Sequence, residues 1–297
     1  MKPDYGPYSS SSKKNERLMN RTEIVTNPAA TPVIELAPGV EVRILASGAQ
    51  GARGVTTALA NFSPGSSLPS HRHPCSEVII LLAGSATVCI EGRCYSLGVC
   101  DAMHVPRGTI HSVSNPSATE QAIFHTSFAS ETPMRETVTQ EFAVENRTTT
   151  DEFVPETLVR FNEARVYELA PKTHFRDLFA KRFGASGICG GYGLFEPGSS
   201  LPCHFHEYDE SITIITGQAV CLVAGSSYQL SDRGTACIPK ARPHRFLNQS
   251  DEPMALIWVY AGDEPERTLV EPGWCDGTVV WPGANGNSRD SNSSLKS

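Results

Sequence analysis

The strongest constraint on the fold of this chain is an internal repeat. Residues 33–115 align without a gap onto residues 166–248, 133 positions further along the sequence. The match includes the run Pro-Gly-Ser-Ser-Leu-Pro at 64–69, which recurs at 197–202. Because a register held over this length requires the same strands and loops twice, the sequence predicts two copies of one domain. The 297 residues are enough for each copy to bury its own core.

Each copy has the pattern of short strands joined by tight turns. In the first copy, apolar and β-branched residues fill 78–82 and 86–90, on either side of a turn that contains glycine. The second copy repeats this pattern at 212–216 and 219–223. Short runs with such turns are typical of sandwiches and barrels, so the predicted fold class is all-β.

The repeat and the local composition divide the chain into five segments. A polar segment precedes the first copy, a stretch rich in Thr and Glu separates the copies, and the pattern decays after the second. The predicted bounds are a disordered N-terminal segment (1–32), domain 1 (33–130), a linker (131–160), domain 2 (161–273) and a disordered C-terminal tail (274–297).

Composition excludes several classes of partner. A net charge of −7 leaves little to neutralise phosphates, so no nucleic-acid partner is expected. No apolar run reaches about 18 residues, so no membrane span is expected. The nine cysteines are odd in number and form no CxxC motif, which favours free thiols. Without the apolar core of a secretory signal near the N-terminus, a cytoplasmic location is expected.

Four residues in each copy carry the clearest chemistry. They are His71, His73, Glu77 and His111 in the first copy and His204, His206, Glu210 and His244 in the second. On a strand, residues two apart share a face, so each His-x-His pair directs both imidazoles to one point. The glutamate and the distant histidine can complete a metal site. Three imidazoles and a carboxylate suit Mn, Fe, Co, Ni, Cu and Zn without choosing among them.

These spacings resemble the two motifs of the cupin superfamily. The first motif, Gly-x5-His-x-His-x3-Glu-x6-Gly, is complete from Gly65 to Gly84 and again from Gly198 to Gly217. The second motif, Gly-x5-Pro-x-Gly-x2-His-x3-Asn, matches at its Pro, His and Asn in both copies. It departs at three glycine positions, which are occupied by Cys100, Arg233 and Ala241. The departures concern turns rather than ligands.

The resemblance implies a bicupin, with two tandem cupin barrels of the double-stranded β-helix or jelly-roll kind. It implies up to two divalent transition metals per chain, with Fe or Mn favoured and Zn, Ni, Cu or Co as alternatives. It also implies a small-molecule substrate and either a monomer or a homo-oligomer. Oxalate decarboxylases of this superfamily usually carry Trp after the first ligand His and after the Glu. This chain has Arg72 or Phe205 and Val78 or Ser211 there, which argues against an oxalate decarboxylase.

Three functions stay open from the sequence. The favoured function is a metal-dependent oxidoreductase of the dioxygenase type, acting on a small organic or phenolic substrate. The alternatives are a redox-neutral isomerase, lyase or decarboxylase, and a non-catalytic small-molecule-binding bicupin. Candidate catalytic residues are Tyr208, Glu207 and Asp209, which make the loop before Glu210 acidic and aromatic in the second copy only. If only one site works, this loop favours the second.

Overall fold

The computed structural model describes residues 21–284, which fold into two β-barrels. In chain order, the first strands are β1 (Ile24–Thr26), β2 (Ile34–Ala37), β3 (Val40–Ala46), β4 (Thr56–Phe62), β5 (Ser67–Arg72), β6 (Glu77–Ala83), β7 (Ala86–Ile90), β8 (Arg93–Leu97), β9 (Ala102–Val105), β10 (His111–Ser114), β11 (Ala122–Phe128), β12 (Glu136–Thr137), β13 (Glu145–Arg147) and β14 (Thr157–Val159). The all-β prediction is confirmed.

The second half of the chain repeats this arrangement. Its strands are β15 (Thr173–Phe179), β16 (Cys189–Phe195), β17 (His204–Phe205), β18 (Glu210–Thr216), β19 (Gln218–Val223), β20 (Ser226–Ser231), β21 (Thr235–Ile238), β22 (His244–Leu247), β23 (Met254–Tyr260) and β24 (Thr268–Leu269). The helices are 3-10 turns at Pro28–Ala30, Gly48–Gln50, Lys181–Phe183 and Pro282–Ala284 and one α-helical turn, α1 (Gly273–Asp276).

Each barrel is made from two sheets. In the first barrel, one sheet has the strand order β14-β9-β6-β11-β4-β3-β2 and the other has the order β12-β5-β10-β7-β8-β13. In the second barrel, the two sheets have the strand orders β1-β21-β18-β23-β16-β15 and β20-β19-β22-β17-β24. All neighbouring strands pair antiparallel in the two sheets that hold the ligand-bearing strands β5 and β17, except for the pair β13–β8.

Strand β6 explains why the sequence shows an unbroken apolar run at 78–82. Ile79 and Leu81 point into the core of the first barrel, whereas Val78 and Ile80 pack in a separate core between the two barrels. Both faces of the strand are therefore buried, which removes the alternation of apolar and polar residues expected for a half-exposed strand. The interdomain core also contains Ile257 and Val259 of the second barrel.

Buried polar contacts also cross the interface between the barrels. Thr57 and Ser211 place their hydroxyl oxygens 2.9 Å apart. His125, which is fully buried, places Nε2 3.2 Å from the hydroxyl of Thr213. Because buried polar groups are costly without partners, these contacts fix the relative register of the two barrels.

The N-terminal prediction is wrong for part of its range. Within the predicted disordered segment 1–32, β1 pairs antiparallel with β21 of the second barrel, in the register Val25 to Ala236. Arg21 bonds the carboxylate of Asp209 through both terminal nitrogens, at 2.7 and 2.5 Å. The chain before domain 1 is thus an edge strand of domain 2. The rest of the predicted segment, residues 1–20, lies outside the described residues.

The predicted linker is also structured in part. Strands β12, β13 and β14 pair with strands of the first barrel. Glu156, which is buried, accepts hydrogen bonds from Arg93 Nε at 2.6 Å and from the hydroxyl of Tyr95 at 2.8 Å. Residues 131–160 therefore wrap domain 1 instead of crossing open solvent. The predicted tail begins with α1, and its residues from 285 onward lie outside the described range.

The prediction of free thiols is wrong for four of the nine cysteines. Cys89 and Cys94 lie directly opposite each other on β7 and β8 and form a disulfide. Cys203, next to the ligand His204, is bonded to Cys275 of α1. Because disulfides are rare in the cytosol, the cysteines no longer support a cytoplasmic location, which stays a prediction. In the described part of the chain, no helix is long and apolar enough to span a bilayer.

The buried interdomain histidine predicts a pH dependence of stability. Burial lowers the pKa of His125 to about 4, whereas an unfolded histidine titrates near pH 6.5. Because the folded pKa is the lower one, its contribution is fully present above pH 6.5 and is lost as the pH falls toward 4. The loss is about 3 kcal/mol for this one group.

We expect His125→Asn to flatten the decline in unfolding free energy between pH 6.5 and 4, measured by urea denaturation at four pH values. Gln121→Asn, at an exposed residue just before β11 that does not titrate, is the control and should keep the original slope. An unchanged slope in His125→Asn would contradict the assignment.

Candidate metal centres

The first cluster of predicted ligands forms at one end of β5. His71 lies on β5 and His73 directly after it, while Glu77 and His111 are the first residues of β6 and β10. The register places His111 opposite His71, with ring centroids 4.2 Å apart. One potential ligand atom from each of the four buried side chains lies within 4.8 Å of the others.

The second barrel repeats the cluster at equivalent positions. His204 lies on β17 opposite His244 of β22, and Glu210 begins β18. The ring centroids of His204 and His206 lie 4.9 Å apart, and all four ligand atoms again lie within 4.8 Å of one another. The structure therefore brings together all eight side chains that the sequence predicts as ligands.

Backbone carbonyls fix the orientation of all six imidazoles. In every case Nδ1 lies within hydrogen-bond distance of a carbonyl oxygen, which can only accept, so Nδ1 must carry the proton. The pairs are His71 with Pro69, His73 with Met134, His111 with Thr109, His204 with Pro202, His206 with Glu266 and His244 with Arg242, at 2.5–3.1 Å. In the neutral ring this leaves the Nε2 lone pair free, as a metal ligand requires.

When the rings are neutral, the histidine and glutamate atoms that face the centre of each cluster are hydrogen-bond acceptors, and no proton donor lies among them. In the second cluster, His244 Nε2 lies 2.5 Å and His206 Nε2 3.4 Å from Glu210 Oε2, yet none of these buried atoms has a hydrogen-bond partner. Two lone pairs directed at a carboxylate repel it unless a cation lies between them. The donor set therefore fits a metal ion.

The first cluster has the same chemistry. His111 Nε2 lies 2.9 Å from Glu77 Oε2, although Nδ1 of that ring already donates to a carbonyl. The other oxygen, Glu77 Oε1, accepts from the hydroxyl of Thr126 at 2.9 Å. This second contact orients the carboxylate toward the histidines.

The protonation states of His71 and Glu77 also suit a divalent metal. Burial, with the adjacent His111, lowers the pKa of His71 to about 4. Burial alone would raise the pKa of Glu77, but the field of His73 and the contact with His111 outweigh it and lower that pKa below its usual range. Neutral imidazoles and an ionised carboxylate are the forms that bind metal. Burial alone would lower the pKa of His111, but the contact with Glu77 outweighs it and raises that pKa, so a metal that binds there must displace a proton from His111. The chain thus offers sites for up to two divalent metal ions.

A cavity of about 200 Å³ opens on the first cluster. Its lining is mostly aliphatic and aromatic: Ile34, Leu36, Val40, Val42, Ile44, Ala58, Ala60, Phe62, Leu68, Ile79, Val113, Phe124, Phe128 and Pro133. Two hydroxyls line it as well, but Thr56 donates to Ser130 O and Thr126 to Glu77. Outside the ligand set, Arg135 is the only charged side chain among the lining residues.

Aromatic side chains fill the equivalent space in the second barrel. Relative to the first barrel, the exchanges are Val42 to Phe175, Ala58 to Gly191, Ala60 to Gly193 and Thr126 to Trp258. The two glycines make room for the rings, since a Cβ on Gly193 would lie 2.8 Å from the Phe175 ring. Trp258 packs against Tyr260, whose ring lies 4.3 Å from that of His206.

The expectation that the second site is the working one is therefore not supported. The loop that motivated it does not add polar groups to an open pocket, because aromatic rings pack over the second cluster. The cavity in the first barrel reaches ligand side chains, whereas the hollow beside the equivalent residues Tyr167, Leu169 and Arg267 of the second barrel has no ligand in its lining.

The three predicted catalytic residues have structural partners. Asp209 accepts hydrogen bonds from Arg21, from Arg53 N and from Lys240 N. Glu207 is exposed and pairs with Lys240 Nζ at 2.8 Å. Tyr208 stacks on His206, and its hydroxyl donates to Glu264 O at 2.8 Å.

The ungapped alignment of the two copies missed one element of both sites. The turn after Asn248 is one residue shorter than the turn after Asn115, and beyond it the repeat continues with Pro133-Met134-Arg135 against Pro265-Glu266-Arg267. The middle residue of each tripeptide provides the carbonyl that accepts from the second ligand histidine. Allowing a one-residue gap would have revealed it.

Comparison with known proteins agrees with this geometry. The sequence profile of the family described as "Cupin domain" matches residues 58–128 and 191–260, which contain most of both barrels. The chain is a two-domain protein of the cupin superfamily. No curated protein sequence matches it.

Solved structures share the bicupin fold. The oxalate decarboxylase from Bacillus subtilis at pH 4.6 is 16% identical, with a TM-score of 0.68 over 91% of this chain and 88% of that chain. The formate complex of the Lactobacillus farciminis oxalate decarboxylase is also 16% identical, with a TM-score of 0.67 over 90% of each chain. The 7S globulin from Momordica charantia is 11% identical, with a TM-score of 0.65 over 82% and 85%. At these identities the likeness shows the fold alone.

Replacing one ligand histidine should halve the metal content of this bicupin. We expect His71→Ala and His204→Ala each to halve the manganese bound per chain, because each removes one of four donors from one cluster. His174→Ala, outside both clusters, should keep the full content. Elemental analysis after gel filtration measures this. A cluster whose variant retains all the metal of the unmutated protein would not be a metal site.

Proposed function

We propose that this bicupin is a metal-dependent decarboxylase of a small oxo acid, with the first cluster as its working site. The observation that carries the proposal is the apolar cavity that opens on His71, His73 and Glu77, with a single cation, Arg135, among its other lining residues. Two of the structures that share the fold are oxalate decarboxylases, which supports the reaction class. The 7S globulin shares the fold too, so the fold does not decide the function.

The lining favours decarboxylation because of how charge moves in that reaction. In a 3-oxo acid the bond between the carboxylate carbon and the α carbon breaks, CO2 leaves, and the electron pair passes into the carbonyl group at the β position as an enolate, whose α carbon then takes a proton from water. The carboxylate loses its charge on the way to the transition state, and apolar walls such as Ile79, Val113 and Phe124 disfavour the charged ground state.

The residues around the centre have distinct roles in this proposal. His71, His73, Glu77 and His111 would hold the metal, which when bound supplies a Lewis acid for the substrate carbonyl oxygen. Thr126 keeps one oxygen of Glu77 occupied and so orients the other toward the centre. Oxalate itself is a poor fit, since a small dianion would gain nothing from the aliphatic wall of the cavity.

The second cluster has a structural role in the proposal. Aromatic rings surround His206, and the disulfide between Cys203 and Cys275 ties α1 beside His204. A metal there would cross-link β17, β18 and β22, and its binding energy would add to the stability of the second barrel.

The dioxygenase function remains a second candidate. One observation favours it: among the lining residues of the first cavity, no carboxylate, lysine or tyrosine outside the ligand set is available to move a proton. O2 chemistry at a metal would need no such group.

Product analysis separates these candidates. We expect the manganese-loaded protein to release CO2 from C4 to C8 3-oxo acids faster than the spontaneous reaction, equally in air and under argon. His71→Ala should abolish the excess rate, since it removes a donor from the open site, whereas His204→Ala should retain it wherever the protein stays folded. CO2 release or substrate loss that requires O2 would favour the dioxygenase. No reaction by either route would contradict both.

A further inference from the structure

Arg135 lies at the mouth of the first cavity on a segment that is fixed in place. The preceding residue, Met134, accepts from His73 Nδ1 at 2.6 Å through its carbonyl. The following residues, Glu136 and Thr137, pair with β5 in the register Glu136 to Arg72. Arg135 lines both the barrel cavity and a smaller hollow on the surface beside His73. Its backbone is therefore anchored to the metal cluster on one side and to the sheet on the other.

The charge of Arg135 is not neutralised by its surroundings. The adjacent carboxylate of Glu136 accepts from Arg72 Nε at 2.9 Å and from Arg72 Nη2 at 2.7 Å, so both its oxygens are occupied. Within residues 21–284, no hydrogen bond or ion pair involves the Arg135 guanidinium. The mouth thus presents a free planar cation, which binds carboxylates with two parallel hydrogen bonds.

Away from the metal centre, the cavity interior cannot stabilise a charge that persists through the reaction. Its two hydroxyls are committed to other acceptors, and the rest of its wall away from the ligands is apolar. A reacting carboxylate loses its charge as CO2 forms, so it tolerates such walls. An anionic group that keeps its charge must instead remain at the mouth, where Arg135 lies.

We propose that Arg135 is a specificity residue that binds a second, non-reacting carboxylate at the far end of the substrate. The substrate class is then an oxo diacid with an apolar chain between its ends. This inference rests on the proposed function for the identity of the reacting end, but the recognition of the far carboxylate can be tested without turnover.

The test uses unreactive acids that differ at one end. Hexanedioate, its monoamide and hexanoate are titrated into the manganese-loaded protein by calorimetry. We expect hexanedioate to bind at least tenfold more tightly than the other two, because a charge-assisted pair with arginine is lost in both. Arg135→Gln should weaken hexanedioate by about 10- to 100-fold and change hexanoate by less than about twofold.

Two matched variants control for the general field of the protein. Arg107→Gln removes the same charge from the neighbouring hollow, which Arg107 lines without lining the barrel cavity. Arg267→Gln removes the equivalent arginine of the second barrel. Both should bind hexanedioate as the unmutated protein does. Arg135→Lys keeps the charge and should retain most of the preference for hexanedioate over hexanoate.

The proposal is overturned if the unmutated protein binds hexanedioate and hexanoate equally, or if Arg135→Gln and Arg107→Gln weaken hexanedioate to the same extent. Its failure is distinct from failure of the decarboxylase function. Selective binding that depends on Arg135, without CO2 release from any oxo acid, would leave the recognition intact and remove the reaction. If Arg135→Gln releases CO2 with the KM of the unmutated protein, the decarboxylase function would stand and the recognition by Arg135 would not.

Discussion

The hydrogen bonds between ligand Nδ1 atoms and backbone carbonyls are the interaction on which both sites depend. In each barrel, two of the three carbonyls lie two residues before the histidine that they orient, and the third comes from a segment about 60 residues away. Because Nδ1 carries the proton, Nε2 keeps its lone pair and can bind a metal. Each cluster is therefore a set of metal ligands and not a hydrogen-bond network. The chain after β11 and after β23 must therefore fold back across the barrel mouth.

This constraint couples the metal centre to the substrate entrance. In the first barrel, the segment that orients His73 also carries Arg135, so the residue that recognises the substrate in our account is positioned by the same backbone that positions a ligand. Metal binding and substrate recognition are thus supported by one short segment, 133–137. A change in its backbone would affect both.

Two barrels with one backbone plan have different interiors because of a few exchanges. Exchange of Val42 for Phe175 and of Thr126 for Trp258 adds ring volume, and glycines at 191 and 193 remove the Cβ atoms that would collide with it. The second interior is consequently a packed aromatic core around its cluster, while the first retains a cavity. One duplicated site can thus serve chemistry while its copy adds stability.

The sequence predicted the fold and the convergence of the eight ligands because these depend on strand periodicity and on a repeat, which are local or self-checking signals. It did not predict which interior is open, since the volume of Trp258 matters only beside Phe175 and Gly191. Nor did it predict that β1 joins the second barrel or that Cys203 meets Cys275, because both contacts join distant parts of the chain. Arg135 was missed because a one-residue gap ended the ungapped repeat.

Both proposals depend on two metal centres with equal ligands and unequal access. A crystal structure of the manganese-loaded protein with hexanedioate, measured at the manganese absorption edge, tests this arrangement most directly. We expect two anomalous peaks, one within each cluster of three histidines and a glutamate, with the diacid bound at the first centre only. A peak missing from the first cluster, or the diacid bound at the second centre, would contradict it.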